Sequence, residues 1–444
     1  MLIGLVVGTL GVSACRRPAG RAGGPAGSER LADDGGSLDT EAREYVTLAL
    51  QIARLNPDAV ETYIGPADRR RRVDAAPMSL FQVVEATEAL RDELRRPPAG
   101  RSDASSARRR QVLRAQVEAL AIQARMAAGG RLPFDEEARA LFGIAPSAVS
   151  RAAERDARRE LDRLLPGRGA LADRYVAFQK RLLVPRDRLP AVLAAALAAC
   201  RQRTLAHVAL PPGERFTVQY VTGKPWNAYN RYRGGYQSVI QVNTDLPVSV
   251  DRVLDLACHE GYPGHHLFNV LREQRLVRGL EWPEFSIATL MSPQGLIEEG
   301  ASSDATNVAF PGDERLAFEK AVLFPLAGLD AAQAARGEQI RRLTERLAAV
   351  TTDVARDYLD GAIDARAAEE ALAVHAAMPD PAVTLAFIER YRSYVIAYTT
   401  GRDLVRGFID AHGGTADHPE RRWDVFLSLA ATPRLPRELE APVR

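Results

Sequence analysis

The chain has 444 residues, 46% of them hydrophobic and 26% charged, a globular composition long enough for one large domain or two to three ordinary ones. Lys and Arg total 59 against 57 for Asp and Glu, so a formal charge of +2 gives no global field to hold nucleic acid or an anionic bilayer. Of 7 histidines, His259, His265 and His266 fall in one short window, and that clustering is the feature to explain.

The apolar run Met1 to Ala14 is too short to span a bilayer and has the length of a signal-peptide core. Val12-Ser13-Ala14-Cys15 resembles a bacterial lipobox, in which the cysteine is lipidated and becomes the first residue. The Gly/Pro/Ala/Ser/Arg-rich residues that follow suit a flexible tether. The expected division is therefore 1–14 signal peptide, 15–37 tether and 38–444 a single helical domain, lipid-anchored in the cell envelope and facing the periplasm or outer membrane. The alternative is an apolar tail with no leader function. Cys200 and Cys258 are then left over, too few and too distant for a disulfide framework, and each reads as a small buried hydrophobe. Cys258 adjoins the histidines, but no basic residue stands at helical spacing to activate it.

In chain order, Tyr45, Leu48, Ile52 and Leu55 mark a first helix after the capping candidates Asp39 and Thr40. Helical patterns follow from Leu80 to Arg96, Ala107 to Ala128 and Ser147 to Leu165, separated by short Pro/Gly breaks. Phe216 to Val221 and Gln237 to Asn243 alternate as strands, joined by a loop from Thr222 to Tyr236. Helices are then predicted from Ser249 to Cys258, His266 to Leu276, Pro293 to Phe310, Asp313 to Ala348, Val354 to Ala377 and Ala382 to Ile409, with a last one near Trp423. The expected class is mainly α, with a small sheet just before the helix that carries the histidines.

That helix ends in Cys258-His259-Glu260-Gly261-Tyr262-Pro263-Gly264-His265-His266-Leu267. In the ordinary H-E-x-x-H zinc motif two imidazoles one turn apart share the ion and the Glu polarises a water. Here the position four after His259 is Pro263, so the short motif is absent. Proline cannot donate to the carbonyl of His259 and Gly264 readily turns left-handed, so the helix must bulge or break there and return His265 toward His259. His266 is the other choice for the second ligand. In Leu296-Ile297-Glu298-Glu299-Gly300, on a helix opened by Ser292-Pro293, Glu298 or Glu299 completes a His/His/Glu set with one position open, the arrangement of catalytic zinc. The small residues after Glu299 would let that helix pack closely on the histidine helix.

These residues resemble the signature of the bacterial domain-of-unknown-function 885 family, with its H-E-x-x-P-G-H-H-L segment and downstream E-G. That family is grouped with gluzincin-like zinc metallopeptidases near carboxypeptidase Taq and the thimet-oligopeptidase group. Asn56-Pro57-Asp58, Tyr63-Ile64-Gly65-Pro66, Pro225-Trp226-Asn227-Ala228-Tyr229-Asn230 and Val242-Asn243-Thr244-Asp245-Leu246-Pro247 are similar to its members too. The chain departs from the pattern at Ala301-Ser302, where members often have an aromatic residue. The resemblance implies a zincin-like fold, His265 and Glu299 as ligands beside His259, and one zinc ion. It also implies Gln237 to Asn243 as the sheet edge along which a peptide is laid, and Tyr398, in Tyr398-Thr399-Thr400-Gly401, as an oxyanion donor, with Tyr394 one turn earlier.

The expected function is a zinc peptidase whose general base is Glu260. The alternatives are an amidase or esterase on a non-peptide substrate, and a non-catalytic lipoprotein that binds peptide. Glu260 argues against the last, because a binder needs no base beside its ligands. His207, His375, His412 and His418 are expected to be satisfied or solvent-facing, and Trp226, Tyr229, Tyr232 and Tyr236 to line a cleft or pack a loop.

Overall fold

The computed structural model describes residues 35–97, 103–224 and 226–440, so the expected signal peptide, Cys15, nearly all of the expected tether and Pro225 lie outside the described residues. The fold is mainly α with two small sheets. No helix among the described residues is long and apolar enough to cross a membrane.

The first helix is Gly35–Leu55, so it begins inside the expected tether and Asp39 and Thr40 lie within it rather than capping it. Asp39 is engaged elsewhere, accepting from Arg109 Nη1 at 2.7 Å. Its apolar face, Tyr45, Ala49 and Ile52, packs with Val83 and Leu90 of Leu80–Arg95 and with Leu113, Val117 and Leu120 of Ala104–Ala127. Ser79 and Gln82 close a capping box on the second of these, and Asp103 caps the third, so each start is fixed by a side chain that satisfies an orphan amide.

Three long helices expected downstream are instead broken at residues of positive φ. Gly328 (φ 69) interrupts Asp313 to Ala348, Gly361 (φ 77) separates Val350–Leu359 from Ala365–His375, and Arg392 (φ 51) ends Pro381–Tyr391. After Arg392 the chain runs as a 3₁₀ segment, Arg392–Tyr398, before Thr400–Ala411. The apolar period continues across each break, which is why pattern alone does not mark it.

Strand β1 (Val60–Tyr63) follows the first helix after a single 3₁₀ turn, Pro57–Ala59. Strands β2 (Arg215–Val221), β3 (Ala228–Gly234) and β4 (Gln237–Asn243) form one sheet in the order β2-β4-β3. The expected loop between the two strands thus contains a third, and β2 and β4 pair in parallel rather than as a hairpin. Strand β4 is central, with its backbone paired on both sides, so it is not the free edge. Strand β5 (Ile287–Thr289) pairs antiparallel with β1 and leads into the helix Pro293–Ala309.

Candidate metal centre

The helix Val250–Glu260 buries Val250, Val253, Leu254 and Ala257 in the largest core, which leaves His259 and Glu260 at its last turn. It ends there: Gly261 N donates to Ala257 O at 3.0 Å, Gly264 N donates to Cys258 O at 2.9 Å, and a new helix, His265–Arg272, begins directly after. The expected break is present, but Gly264 is not left-handed (φ −76). Glycine is needed there for space, because a Cβ would run into the carbonyl oxygens of His259 and Cys258. The break returns His265 to its partner, with Nε2 of His265 3.2 Å from Nε2 of His259.

The helix Pro293–Ala309 presents Glu299 to this pair. Its Oε1 lies 3.2 Å from His259 Nε2 and its Oε2 lies 3.5 Å from His265 Nε2. His259, His265 and Glu299 form a group that can hold a metal ion. One ligand atom from each of the three lies within 4.8 Å of the others, close enough to share one ion. Glu299 Oε1 is also buried without a hydrogen bond, an acceptor left free toward the centre. Burial opposes ionisation of Glu299, but attraction to His259 and His265 outweighs it and holds the carboxyl well below the usual range. Burial likewise disfavours charge on His265, yet Glu298, Glu299 and Glu260 together lift it well above the ordinary value.

Glu298, the other candidate ligand, is occupied. It accepts from Arg272 Nη1 at 2.8 Å and from Asn269 Nδ2 at 3.3 Å, and its Oε1 stands 3.6 Å from His265 Nδ1. A carboxylate on the far nitrogen fixes the ring's tautomer and aim, so Glu298 orients a ligand rather than being one. His266, the second choice, is turned away and wholly buried. Its Nδ1 is 2.7 Å from Ser238 Oγ and its Nε2 is 2.7 Å from Glu214 Oε1, and Glu214 also accepts from Tyr262 and from Arg201 at 3.1 Å.

Glu260 is buried, and burial raises its carboxyl against the pull of His259 and His265. Its carboxylate makes no hydrogen bond among the described residues, while its carbonyl accepts from Asn230 Nδ2 at 2.6 Å. Of the two tyrosines, Tyr394 is engaged, its hydroxyl donating to Glu299 Oε2 at 3.2 Å. Tyr398 lines a cavity of about 590 Å³ together with His259, Asn227 and Ser302, a volume in the range of small-ligand clefts. Burial lifts both phenols well above the ordinary value, with Glu299 adding to it.

The Gly after Glu299 also has a spatial reason. A Cβ on Gly300 would strike the carbonyl of Gly401, and one on Gly401 would lie 2.9 Å from Leu296 O, so the two helix backbones touch there. Gly300 therefore packs on the helix after Tyr398, while Ala301 and Ala305 share the core that buries the histidine helix. The small residues after Glu299 thus serve two neighbours, the histidine helix as expected and the helix after Tyr398 as well.

Three further features depart from expectation or go beyond it. Cys200 and Cys258, expected to be packing residues, form a disulfide between positions 58 apart, tying the helix Leu189–Leu205 to the histidine helix. The pairing is invisible in sequence because only the fold brings the two helices together. Glu61, on β1, lines a separate cavity with Arg272 and Glu298, and burial pushes its carboxyl up to about 7 against the pull of His265. Tyr229 lies beside Glu61 and Glu260 and packs on Trp226 at 5.8 Å, whereas Tyr232 donates to Glu273 at 2.6 Å. The remaining histidines are satisfied locally: His207 by Glu420, His375 by Glu154, His412 by the Phe408 carbonyl and His418 by Thr415.

No family model matches the chain, and no curated protein matches it. Among solved structures it is similar to a chain described as "putative lipoprotein from Colwellia psychrerythraea", with 15% identity and a TM-score of 0.47 over 84% of this chain and 71% of that one.

Proposed function

We propose that the protein is a zinc-dependent hydrolase, a peptidase related to the gluzincin-like enzymes. The observation that carries this reading is the convergence of His259, His265 and Glu299, with ligand atoms within 4.8 Å of one another, and Glu260 unpartnered beside them. Zinc bound by these three residues supplies Lewis-acid charge that acidifies water toward neutrality. Glu260 takes the proton of the attacking water and passes it to the leaving amine. Tyr398, on the cavity wall with no partner for its hydroxyl among the described residues, donates to the developing oxyanion. Tyr394 and Glu298 act through the ligands, holding Glu299 and His265 in place.

The decisive test is Glu260→Gln, assayed for zinc content and for cleavage of a peptide library. Zinc should stay while hydrolysis falls by about 10²- to 10⁴-fold, the usual worth of a general base. Turnover retained in that variant sinks the mechanism, and cleavage of an ester panel with the peptides left intact moves the reading to an esterase.

An address in the cell envelope belongs to the same proposal. The Cys200–Cys258 disulfide supports it, since such bonds persist in oxidising compartments. Labelling with a radioactive fatty acid should mark the full-length chain and not Cys15→Ser; label on both rules out Cys15 as the anchor.

A further inference from the structure

The cavity that His259 and Tyr398 line continues well beyond the metal ligands. Asp251, Asp255 and His259 stand four residues apart on the helix Val250–Glu260, so they share one face of it, and all three line the cavity. On the helix Pro293–Ala309, Ser303 and Asn307 follow Glu299 at the same spacing and line it too. Each wall thus starts at a ligand and runs eight residues from it, a length of about 12 Å along a helix. An extended chain advances about 3.3 Å per residue, so this space has the length of about three to four residues.

The charges on these walls are already balanced. Arg252 and Arg315 reach Asp255 at 3.4 and 2.7 Å, and Arg341 and Arg402 reach Glu345 at 2.8 and 3.3 Å. Asp251 and Asp380 bring the acids lining the cavity to four, against four arginines. No net charge is left to draw in the ammonium or carboxylate at a peptide's end. What is unmet is hydrogen bonding. Ser302 Oγ, three residues after Glu299, is buried with no partner, and so is Asp251 Oδ1 eight residues from His259. A serine within a helix commonly bonds back to the carbonyl one turn earlier, and Ser302 does not. A peptide backbone offers a carbonyl and an N–H at nearly every residue, the partners that a hydroxyl and a carboxylate oxygen lack here.

We propose that this cavity binds about three residues of an extended peptide to one side of the bond to be cleaved, through its backbone, and that cleavage is internal, with neither chain end recognised. This rests on the hydrolase reading above and gives it a substrate class, oligopeptides whose ends are free or blocked alike. A terminal charge in the cavity would unbalance four acids and four arginines in a partly desolvated space, whereas an amide chain brings no charge and satisfies the unpaired atoms.

The test measures equilibrium binding of peptides of increasing length to the zinc-loaded full chain carrying Glu260→Gln, so that they stay intact, each peptide once acetylated and amidated and once with free ends. From dipeptide to pentapeptide the blocked series should gain at least about tenfold in affinity and then level off, the scale of two or three neutral hydrogen bonds. The free-ended series should follow the same curve. Asn307→Phe fills the cavity eight residues from Glu299, and Thr344→Phe fills it from the helix Ala334–Ala348. Either change should remove the gain with length while zinc content and dipeptide affinity stay. A flat series, a gain that survives both fillings, or binding that demands one free end overturns the inference and leaves the hydrolase reading standing. If the longer blocked peptides bind but the wild type cleaves none of them, the hydrolase reading fails and internal cleavage falls with it.

Discussion

His265 and His266 are neighbours on one helix, yet they belong to different chemical regions. Successive residues of a helix point about 100° apart, so one ring enters the metal centre and the other enters the core behind it. His265 meets acids: Glu299 at 3.5 Å and Glu298 at 3.6 Å, a setting that favours any cation. His266 meets Ser238 and Glu214, one on each ring nitrogen, with Phe216, Tyr232 and Tyr262 packed around it. Burial there outweighs the attraction of Glu214 and lowers its affinity for a proton. An imidazole with both nitrogens engaged has no lone pair for a metal. What separates ligand from strut is thus the partners, because residue type and position are almost the same.

The sharpest way to break this contrast is His265→Ala against His266→Ala. The first should lower metal affinity at least tenfold, as measured by zinc content after dialysis against a weak chelator. Metal loss in His266→Ala alone would reverse the assignment. Next in size is the disulfide, which fastens the helix carrying His259. Cys200→Ser with Cys258→Ser should lower unfolding free energy by about 2–4 kcal/mol in urea titrations, and an unchanged midpoint would show the bond to be absent or idle. His266→Ala should itself destabilise by about 1–3 kcal/mol, since buried Ser238 loses its partner and Glu214 keeps only Tyr262 and Arg201. A neutral result would mean that the second cluster is not structural.

The smallest effect is in pH. Hydrogen bonds from His266, Tyr262 and Arg201 overcome burial and hold Glu214 at about 2, below its ordinary 4.5. Its stabilising contribution is therefore whole above about pH 4.5 and fades as the pH falls toward 2. Unfolding midpoints of Glu214→Gln should depend on pH less steeply than wild type across that window, and parallel curves would contradict the assignment.

The class of fold was legible in local pattern, and the grouping of His259 and His265 with Glu299 in local pattern together with the family resemblance. Apolar spacing marks helices, and Pro263-Gly264 marks a break that only a longer motif can bridge. What could not be read depends on contacts between distant segments. Glu214 and Cys200 meet the cluster only across the core, and β3 was hidden by its Asn, Tyr and Gly content. Glu61 carried one weak signal, an acid between Val60 and Thr62 in a strand of otherwise uncharged residues. The Gly after Glu299 and the Gly after Tyr398 were visible as letters, but their mutual contact was not.

That contact gives the centre a common datum. Where Gly300 lies against Gly401, no side chain intervenes to change rotamer or volume, so the spacing of the two helices is set by peptide planes alone. Glu299 hangs from one backbone, and Tyr394 and Tyr398 from the segment that leads into the other. The distance between Glu299 and the two tyrosines is therefore measured from a joint of backbone on backbone, which a change of side chain elsewhere on the cavity wall leaves in place.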